Sequence, residues 1–125
     1  YEQINETLEQ IKRMGIAVSL DDFGTEFSSL STIGELHIDT VKIDRFFISR
    51  ISRLPDQDLI TSDIISMAHK IGLLVVAEGV EDERQEAYLR KHGCDIIQGY
   101  LISRPLAEQD AVAFLRDYND SEREQ

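Results

Sequence analysis

Residues 60–82 read ITSDIISMAHKIGLLVVAEGVED, and this stretch decides the fold class. Apolar residues recur at helical spacing up to Ile71, Gly72 ends the helix, and residues 73–77 have the apolar, β-branched character of a buried strand. A helix, a glycine and a short apolar strand in this order are typical of a βα unit in a parallel sheet. Glu78 follows the strand, so a carboxylate stands at its carboxyl end.

The same alternation extends over the rest of the chain. Predicted helices cover residues 4–14, 28–36, 55–71, 83–92 and 108–118, and predicted strands cover residues 16–20, 40–43, 73–77 and 95–98. In the helix at 55–71, the residues predicted to face the core are Ile60, Ile64, Ala68 and Ile71. We expect one α/β domain over residues 1–125, built on four parallel strands, with a frayed polar tail at residues 119–125.

Composition narrows the classes of function. Thirteen basic residues against twenty-four acidic ones give a net charge of −11, so no nucleic-acid polymer is expected as a partner. The longest apolar run, residues 73–77, is far shorter than the roughly twenty residues of a membrane helix, so no membrane contact is expected from this segment. A single cysteine, Cys94, predicts a reducing, cytoplasmic location. Because the sequence opens at Tyr1 with helical spacing, we expect it to be a piece of a longer protein.

Polar residues stand at the carboxyl end of every predicted strand. Asp21 and Asp22 follow the first strand, Lys42 lies in the second, Glu78 follows the third and Gln98 ends the fourth. Parallel strands bring their carboxyl ends to one edge, where the ligand sites of such folds are built. Each residue alone has a structural explanation, such as helix capping or a lysine that extends to solvent. Their joint placement predicts a binding or catalytic site.

Adjacent carboxylates indicate a divalent metal. Two such groups repel each other unless a cation lies between them, and Mg²⁺ and Mn²⁺ prefer oxygen ligands. Asp21 and Asp22 are therefore the candidate metal ligands, and a shared aspartate suits a two-metal phosphoryl displacement. Lys42 would orient or help deprotonate the attacking water, and Glu78 would act as general base. Zinc is not expected, because the one cysteine and three histidines show no ligand spacing.

A phosphoacceptor receiver domain is the competing interpretation. It has a similar length, a parallel sheet, and an acidic pair and a lysine around Mg²⁺. In a receiver the lysine comes from the last strand, whereas Lys42 lies on the strand directly after the acidic pair. Glu78 also ends a strand at which a receiver needs no carboxylate. The order of residues therefore disfavours a receiver.

Three segments resemble the second half of EAL domains, the cyclic di-GMP phosphodiesterases named for a Glu-Ala-Leu signature. They are VSLDDFGTEFSSLSTIGELHIDTVKIDRFFI at 18–48, VVAEGVED at 75–82 and GCDIIQGYLISRPL at 93–106. The resemblance implies a (β/α)8 TIM-barrel-like fold of about 250 residues, of which this chain covers about four βα units. It implies hydrolysis of cyclic di-GMP to the linear dinucleotide with Mg²⁺ or Mn²⁺. It also implies that Asp21 and Asp22 bind the metals, that Lys42 contacts the catalytic water and that Gln98 helps to fix water and metal. Glu78 is implied to be the general base or an outer metal partner.

Two further glutamates, Glu81 and Glu26, are candidate support residues for the loop that follows the acidic pair. Glu81 is the second glutamate of the AEGVE motif and is implied to steady the loop after the acidic pair, although an acidic residue before a helix has a structural explanation too. Glu26 and Phe27 stand in that loop where the family has Gly and Tyr. A change from Gly to Glu removes access to positive φ and adds a carboxylate near two others. Alternatively, the loop accepts Glu26 with its side chain in solvent.

This sequence lacks three parts of the family's metal site: the Glu-Ala-Leu strand, the Asn of the next strand and the Glu of the strand after that. The two-metal site is therefore incomplete here. We therefore expect the isolated chain to be inactive or impaired, and the activity to belong to a protein with upstream sensor or regulatory domains. One alternative is a degenerate EAL domain that is a non-catalytic cyclic di-GMP receptor or interaction module. Another is a half barrel without a ligand.

Four strands of an eight-stranded ring leave two unpaired edges and an apolar inner face, which predicts a homodimer.

Overall fold

The computed structural model describes residues 1–23 and 30–123. The helices are α1 (Glu2–Arg13), α2 (Leu30–Glu35), α3 (Arg45–Ile51), α4 (Thr61–Lys70), α5 (Glu83–Lys91) and α6 (Glu108–Arg123), with a short 3₁₀ helix at Asp56–Asp58. The strands are β1 (Ser19–Phe23), β2 (Thr40–Ile43), β3 (Leu74–Glu78) and β4 (Ile96–Gln98). All neighbouring strands are parallel and lie in the order β1-β2-β3-β4. The predicted α/β class with four parallel strands is confirmed.

Alternation along the strands puts the core on the helix-covered face of the sheet. Val41 and Ile43 of β2 and Val75 and Ala77 of β3 are almost fully buried. Helices α3 and α4 pack against β3, and α3 also packs against α5. Residues of the opposite face are more open, and Leu74 at the amino end of β3 is 49% exposed. This second face corresponds to the inner face of a barrel.

Helix α3 is absent from the predicted elements. It begins directly after β2 because the side chain of Asp44 caps it, accepting a 2.8 Å hydrogen bond from the backbone N–H of Phe46. Its apolar residues Phe47, Ile48 and Ile51 are buried. Because a single residue separates β2 from α3, the helix places its first residue, Arg45, at the carboxyl edge of the sheet.

Strand β1 lies three residues further along the chain than predicted. The backbone N–H of Val18 donates to the side chain of Asp39 at 2.8 Å, and the Val18 carbonyl accepts from the Asp39 N–H, so pairing with β2 begins only at Ser19. Asp21 and Asp22 consequently lie within the strand rather than after it.

One prediction about helices is wrong in its details. The helix expected at 55–71 is a 3₁₀ helix followed by α4; Ile60 and Ile71, which flank α4, are exposed, while Ile64 and Ala68 are buried as predicted.

Helix α6 extends through Arg123, and within it the hydroxyl of Ser121 donates to the carbonyl of residue 118. The expected fraying of the tail at residues 119–125 stays a prediction.

Two aspartates tie neighbouring strands together at their amino ends. Besides Asp39, Asp95 accepts a 2.8 Å hydrogen bond from the backbone N–H of Val75, and the same oxygen lies 2.8 Å from Nε2 of His69. Burial raises the pKa of Asp95, but its hydrogen bonds with His69 and Val75 outweigh this effect and hold the pKa below its ordinary value. These contacts fix β3 and β4 in register.

Cys94 is half-buried between strands, where its Sγ lies 3.5 Å from the carbonyl oxygen of Val75. Burial raises the pKa of its thiol. Over residues 1–23 and 30–123, no helix has both the length and the apolar character needed to cross a bilayer.

Candidate functional site

A β-bulge brings the two adjacent aspartates toward the same point. Leu20 pairs with Val41 and Phe23 with Ile43, so β1 contains one residue more than β2 over this interval. In a regular strand, successive side chains point to opposite faces. Here Asp22 adopts a φ of +52°, in the left-handed region that aspartate tolerates better than most residues.

The bulge forms a cluster of three carboxylates with the end of β3. One carboxylate oxygen from each of Asp21, Asp22 and Glu78 lies within 4.8 Å of the other two. Within the described residues this is the one group of three potential metal-ligating side chains with such spacing. Three hard oxygen donors suit Mg²⁺ or Mn²⁺. We call these residues the carboxylate cluster.

Lys42 on β2 supplies a positive charge beside the carboxylate cluster. Its Nζ lies 2.6 Å from Oε1 of Glu78, and both side chains are mostly shielded from solvent. The hydrogen bond that Lys42 donates to Glu78 raises the pKa of Lys42 against an opposing effect of burial, and the charges of Glu78, Asp21 and Asp22 raise this pKa further. The ammonium group is therefore a proton donor at neutral pH, which favours orientation of a water over its deprotonation by Lys42.

Gln98 and Glu81 lie beside the carboxylate cluster rather than in it. Gln98 pairs with Glu78 in the β3–β4 register, and its exposed side chain lines a hollow of about 180 Å³ together with Glu81. Glu81 is exposed, and its backbone N–H donates to Oε1 of Gln85 at 2.7 Å. The neighbourhood of Gln98 and Glu78 follows from the parallel pairing that the sequence predicted.

The loop between β3 and α5 is held rigid on both sides. Asp82 caps α5 in a reciprocal capping box with Gln85 and accepts a 2.5 Å hydrogen bond from Ser52 at the end of α3. The pKa of Asp82 is lowered, mainly by the hydrogen bond from Ser52 and to a smaller extent by the one from the backbone N–H of Gln85. Val80 donates its N–H to the carbonyl of Gln98 at 3.1 Å. The end of β3, with Glu78, is thereby fixed relative to β4.

The predicted site residues thus fall into three groups. Asp21, Asp22, Glu78 and Lys42 converge, as argued above. Gln98 and Glu81 lie next to them, on the wall of the hollow. Glu26 lies outside the described residues.

Sequence reasoning missed two residues at the same edge. Arg45 and Tyr100 also line the hollow beside Gln98. The motif KIDR at 42–45 carries a signal for Arg45. Aspartate is a common helix N-cap, so a helix that begins after Asp44 places Arg45 directly beyond the end of the strand. Tyr100 carries a weaker signal, a tyrosine two residues beyond Gln98.

Comparison with known proteins assigns the family. The EAL domain family model matches residues 1–105. Over 111 residues, or 89% of the chain, the sequence is 46% identical to the cyclic di-GMP phosphodiesterase NbdA of Pseudomonas aeruginosa. Over 106 residues, or 85% of the chain, it is 41% identical to the bifunctional diguanylate cyclase/cyclic di-GMP phosphodiesterase MucR of the same species. The matches cover 14% and 16% of these two proteins, so the chain spans a small part of the curated relatives.

Solved structures give the same assignment. The EAL domain of Mycobacterium smegmatis DcpA superposes with a TM-score of 0.86 at 39% sequence identity, and the match covers 93% of this chain and 52% of the DcpA chain. The phosphodiesterase PaMucR in complex with c-di-GMP has a TM-score of 0.76 at 39% sequence identity, and the match covers 86% of this chain and 43% of the PaMucR chain. A manganese/cyclic di-GMP complex of Klebsiella pneumoniae BlrP1 has a TM-score of 0.67 at 28% identity, over 82% of this chain and 26% of its own. The fold, the motifs and these matches agree: the chain belongs to the EAL domain family.

Proposed function

We propose that this chain contributes half of a metal-dependent active site that hydrolyses one phosphodiester bond of cyclic di-GMP to the linear dinucleotide, in the cytoplasm. The observation that carries the proposal is the carboxylate cluster, with oxygens of three acidic side chains within 4.8 Å and Lys42 against one of them. The relatives named as cyclic di-GMP phosphodiesterases support the choice of substrate. Upstream sensor or regulatory domains would belong to the longer protein, in keeping with the small share of these relatives that the chain covers.

The carboxylate cluster fits divalent metal ions. Asp21 and Asp22 would hold Mg²⁺ or Mn²⁺, since their oxygens are hard donors and their mutual repulsion is relieved by a cation. Bound ions would supply Lewis-acid polarisation of the phosphodiester and charge neutralisation for an anionic substrate. The manganese complex of a structural relative supports this choice of metal.

The remaining residues would position and deprotonate a water. Lys42 donates from a charged ammonium group and would hold the water oxygen, while its contact with Glu78 keeps that carboxylate oriented. Glu78 would accept the water proton as general base, because it is the carboxylate that both the Lys42 contact and the β3–β4 register fix in place. Gln98, one strand further, would supply a neutral amide to orient the same water.

Glu81 and Glu26 are proposed as loop supports. Glu81 precedes α5, on a loop held by the Gln85 side chain, and its carboxylate would steady the segment that follows β1. Glu26 lies in that segment. Its acidic side chain would modify metal binding if it faces Asp21 and would be silent if it faces solvent.

The proposal is tested by incubating this chain with cyclic di-GMP and Mg²⁺, then Mn²⁺, and separating products by chromatography. We expect little or no linear dinucleotide from the chain alone, and turnover when the chain is fused behind the first half of the DcpA EAL domain, whose structure it matches. Glu78→Gln in the fused protein should abolish turnover, while Glu108→Gln on α6 should not. Unchanged turnover in Glu78→Gln would refute the assignment.

A non-catalytic receptor for cyclic di-GMP is the second candidate, and Glu26 in place of the family's Gly is the observation that favours it. Calorimetry on the fused protein separates the two. Micromolar binding of cyclic di-GMP without product in Mn²⁺ supports the receptor, and turnover excludes it. Glu26→Gly should restore turnover if this residue alone blocks it.

Self-association of the isolated chain is proposed from its inner face and edges. Leu74 and Ile96 lie on neighbouring strands of this face and are each about half exposed, and β1 and β4 are the outermost of the described strands. A second copy would cover this apolar surface and both edges. Light scattering should give a dimer at micromolar concentration. A stable, folded monomer would contradict the proposal.

A further inference from the structure

Helix α3 has a second face that the core does not use. Its apolar residues Phe47, Ile48 and Ile51 are buried, whereas Phe46, on the opposite side of the helix, is 54% exposed. The exposed side borders a hollow of about 280 Å³, whose lining residues are Phe46, Ser49, Arg50, Arg53 and Leu54. We call it the α3 hollow. No residue of the carboxylate cluster lines it, so it is separate from the proposed metal site.

The α3 hollow is a basic patch on an acidic protein. Residues 45–55 contain three arginines and no acidic residue, in a chain with a net charge of −11. Within residues 1–23 and 30–123, Arg50 and Arg53 form no ion pair, and their guanidinium groups donate no hydrogen bond. Arg84, in contrast, donates to the backbone carbonyls of Ser52 and Leu54 and so stabilises the turn after α3. The fold therefore uses Arg84, and the donor forks of Arg50 and Arg53 suit an anionic partner.

The backbone of the α3 hollow and one of its arginines are fixed in place. The Arg50 guanidinium lies 4.5 Å from the centroid of the Phe46 ring, in a cation–π contact. The Phe46 ring in turn packs edge-on against the buried Phe47, with 5.3 Å between the centroids. The backbone N–H groups of Arg53 and Leu54 both donate to the Arg50 carbonyl, at 2.9 and 3.0 Å. A site that is already ordered loses little conformational entropy when a partner binds.

We propose that the α3 hollow docks an acidic peptide segment of a partner protein. Carboxylates of the segment would pair with Arg50 and Arg53, and an apolar side chain between them would lie on Phe46 and Leu54. Arginine and aromatic side chains are the residue types that most often dominate the binding energy of protein interfaces.

The composition of the hollow distinguishes this partner from other anions. Inorganic phosphate would use the two arginines but not the apolar surface of Phe46 and Leu54. Anionic membranes and nucleic acids present extended arrays of charge, which a chain with a net charge of −11 repels. A short acidic segment is repelled less, because salt screens the acidic residues that lie more than about 8 Å away.

The test uses the whole chain and a short fluorescein-labelled peptide of glutamates around one leucine. EDTA is present, so that the peptide cannot bridge to a metal at the carboxylate cluster. We expect fluorescence anisotropy to show binding that weakens as NaCl is added, and NMR spectra to show shifts of the Ser49 and Leu54 amides. The same peptide with glutamine in place of glutamate should bind at least about fivefold more weakly. Equal binding of the two peptides would overturn the proposal.

Two variants and one control assign the binding to the arginines. Arg53→Gln removes a charge without breaking a contact between described residues, and should weaken binding of the glutamate peptide about threefold to fivefold. Arg50→Gln combined with Arg53→Gln should weaken it at least about tenfold. Arg116→Gln removes the same charge at an exposed position of α6 that does not line the hollow, and should change nothing. Unchanged binding in the double variant, with its urea unfolding intact, would overturn the proposal.

Two further measurements examine other occupants. Inorganic phosphate should not displace the peptide at equal ionic strength, and complete displacement would refute a peptide site. Light scattering should give the same oligomeric state for Arg53→Gln and the parent chain, because the proposed self-association uses the inner face of the sheet. If Arg53→Gln converts a dimer to a monomer, the hollow is an interface between copies and the proposal is refuted. Mn²⁺ binding at the carboxylate cluster should be the same in every variant, so the proposed function is tested separately.

Discussion

Replacing Asp21 by Asn should stabilise the metal-free chain while weakening metal binding. Asp21 lies within 4.8 Å of two other carboxylates, and two unit charges at this distance repel by about 0.9 kcal/mol even with the dielectric constant of water. Asn removes both repulsions, and Lys42 loses part of its attraction. The backbone N–H of Asp22 donates to Oδ1 of residue 21 at 2.8 Å, and Asn preserves this acceptor. The expected net gain is about 1 kcal/mol at low salt.

The assay is urea unfolding with EDTA and again with Mn²⁺. At a Mn²⁺ concentration of about 100 times the Kd, the parent chain should gain about 2.7 kcal/mol of unfolding free energy. If Asn raises the Kd tenfold, the gain at the same concentration falls to about 1.4 kcal/mol. The two changes therefore have opposite signs, which no general loss of folding would produce.

Asp117→Asn on the exposed face of α6 is the matched control. It removes the same charge from a residue that is not part of the carboxylate cluster and should change stability by less than about 0.5 kcal/mol in either condition. The reasoning is refuted if Asp21→Asn destabilises the metal-free chain, or if its gain from Mn²⁺ equals that of the parent. Added salt should shrink the stabilisation, since it screens the repulsion between exposed charges.

Three further outcomes follow from contacts at the strand ends. Asp95→Ala leaves the N–H of the buried Val75 without its partner and should lower the unfolding free energy by about 2 kcal/mol, measured with urea. Because the pKa of Asp95 in the folded state lies below its ordinary value, the stabilisation that its carboxylate provides should be complete above pH 4 to 5 and lost as the pH falls through that lowered pKa. In Asp95→Ala the plot of unfolding free energy against pH should therefore be flatter between about pH 5 and pH 2. Parallel plots for the two proteins would contradict this assignment. Gly99→Ala forces a Cβ against the Val80 backbone and should cost about 1–3 kcal/mol, whereas Gly34→Ala, with open space around it, should not; equal effects would contradict the close packing.

Much of the architecture could be predicted from the sequence, because it depends on periodicity. Strand β2 was expected at residues 40–43 and is found there, β3 is shifted by one residue along the chain, and β4 begins one residue later than expected. Apolar spacing and the glycines between helix and strand are local signals, and parallel βα units follow from their alternation. Once the strands are parallel and sequential, Lys42, Glu78 and Gln98 must lie at one edge.

The rest depends on contacts between distant parts of the chain. The bulge in β1 comes from its pairing with β2, and the left-handed conformation of Asp22 has no signal in the letters Asp-Asp. Ile60 is exposed, and it lies between the 3₁₀ helix and α4 as the residue that precedes α4, a break that the apolar spacing does not signal. The place of Arg45 depends on Gly79, a residue 34 positions away, whose missing side chain makes room for the arginine stem.

The alternation along β2 and β3 separates the residues that fold the chain from those that would carry its chemistry. Val41, Ile43, Val75 and Ala77 point to the helices and are at most 1% exposed, whereas Lys42, between the first two, points to the opposite face. A substitution at Lys42 therefore leaves the helix-side core residues in place, and its effect on stability comes from the loss of the 2.6 Å contact with Glu78. Variants on this face consequently change charge and chemistry without repacking the core, and unfolding measured in EDTA and again in Mn²⁺ separates these two contributions.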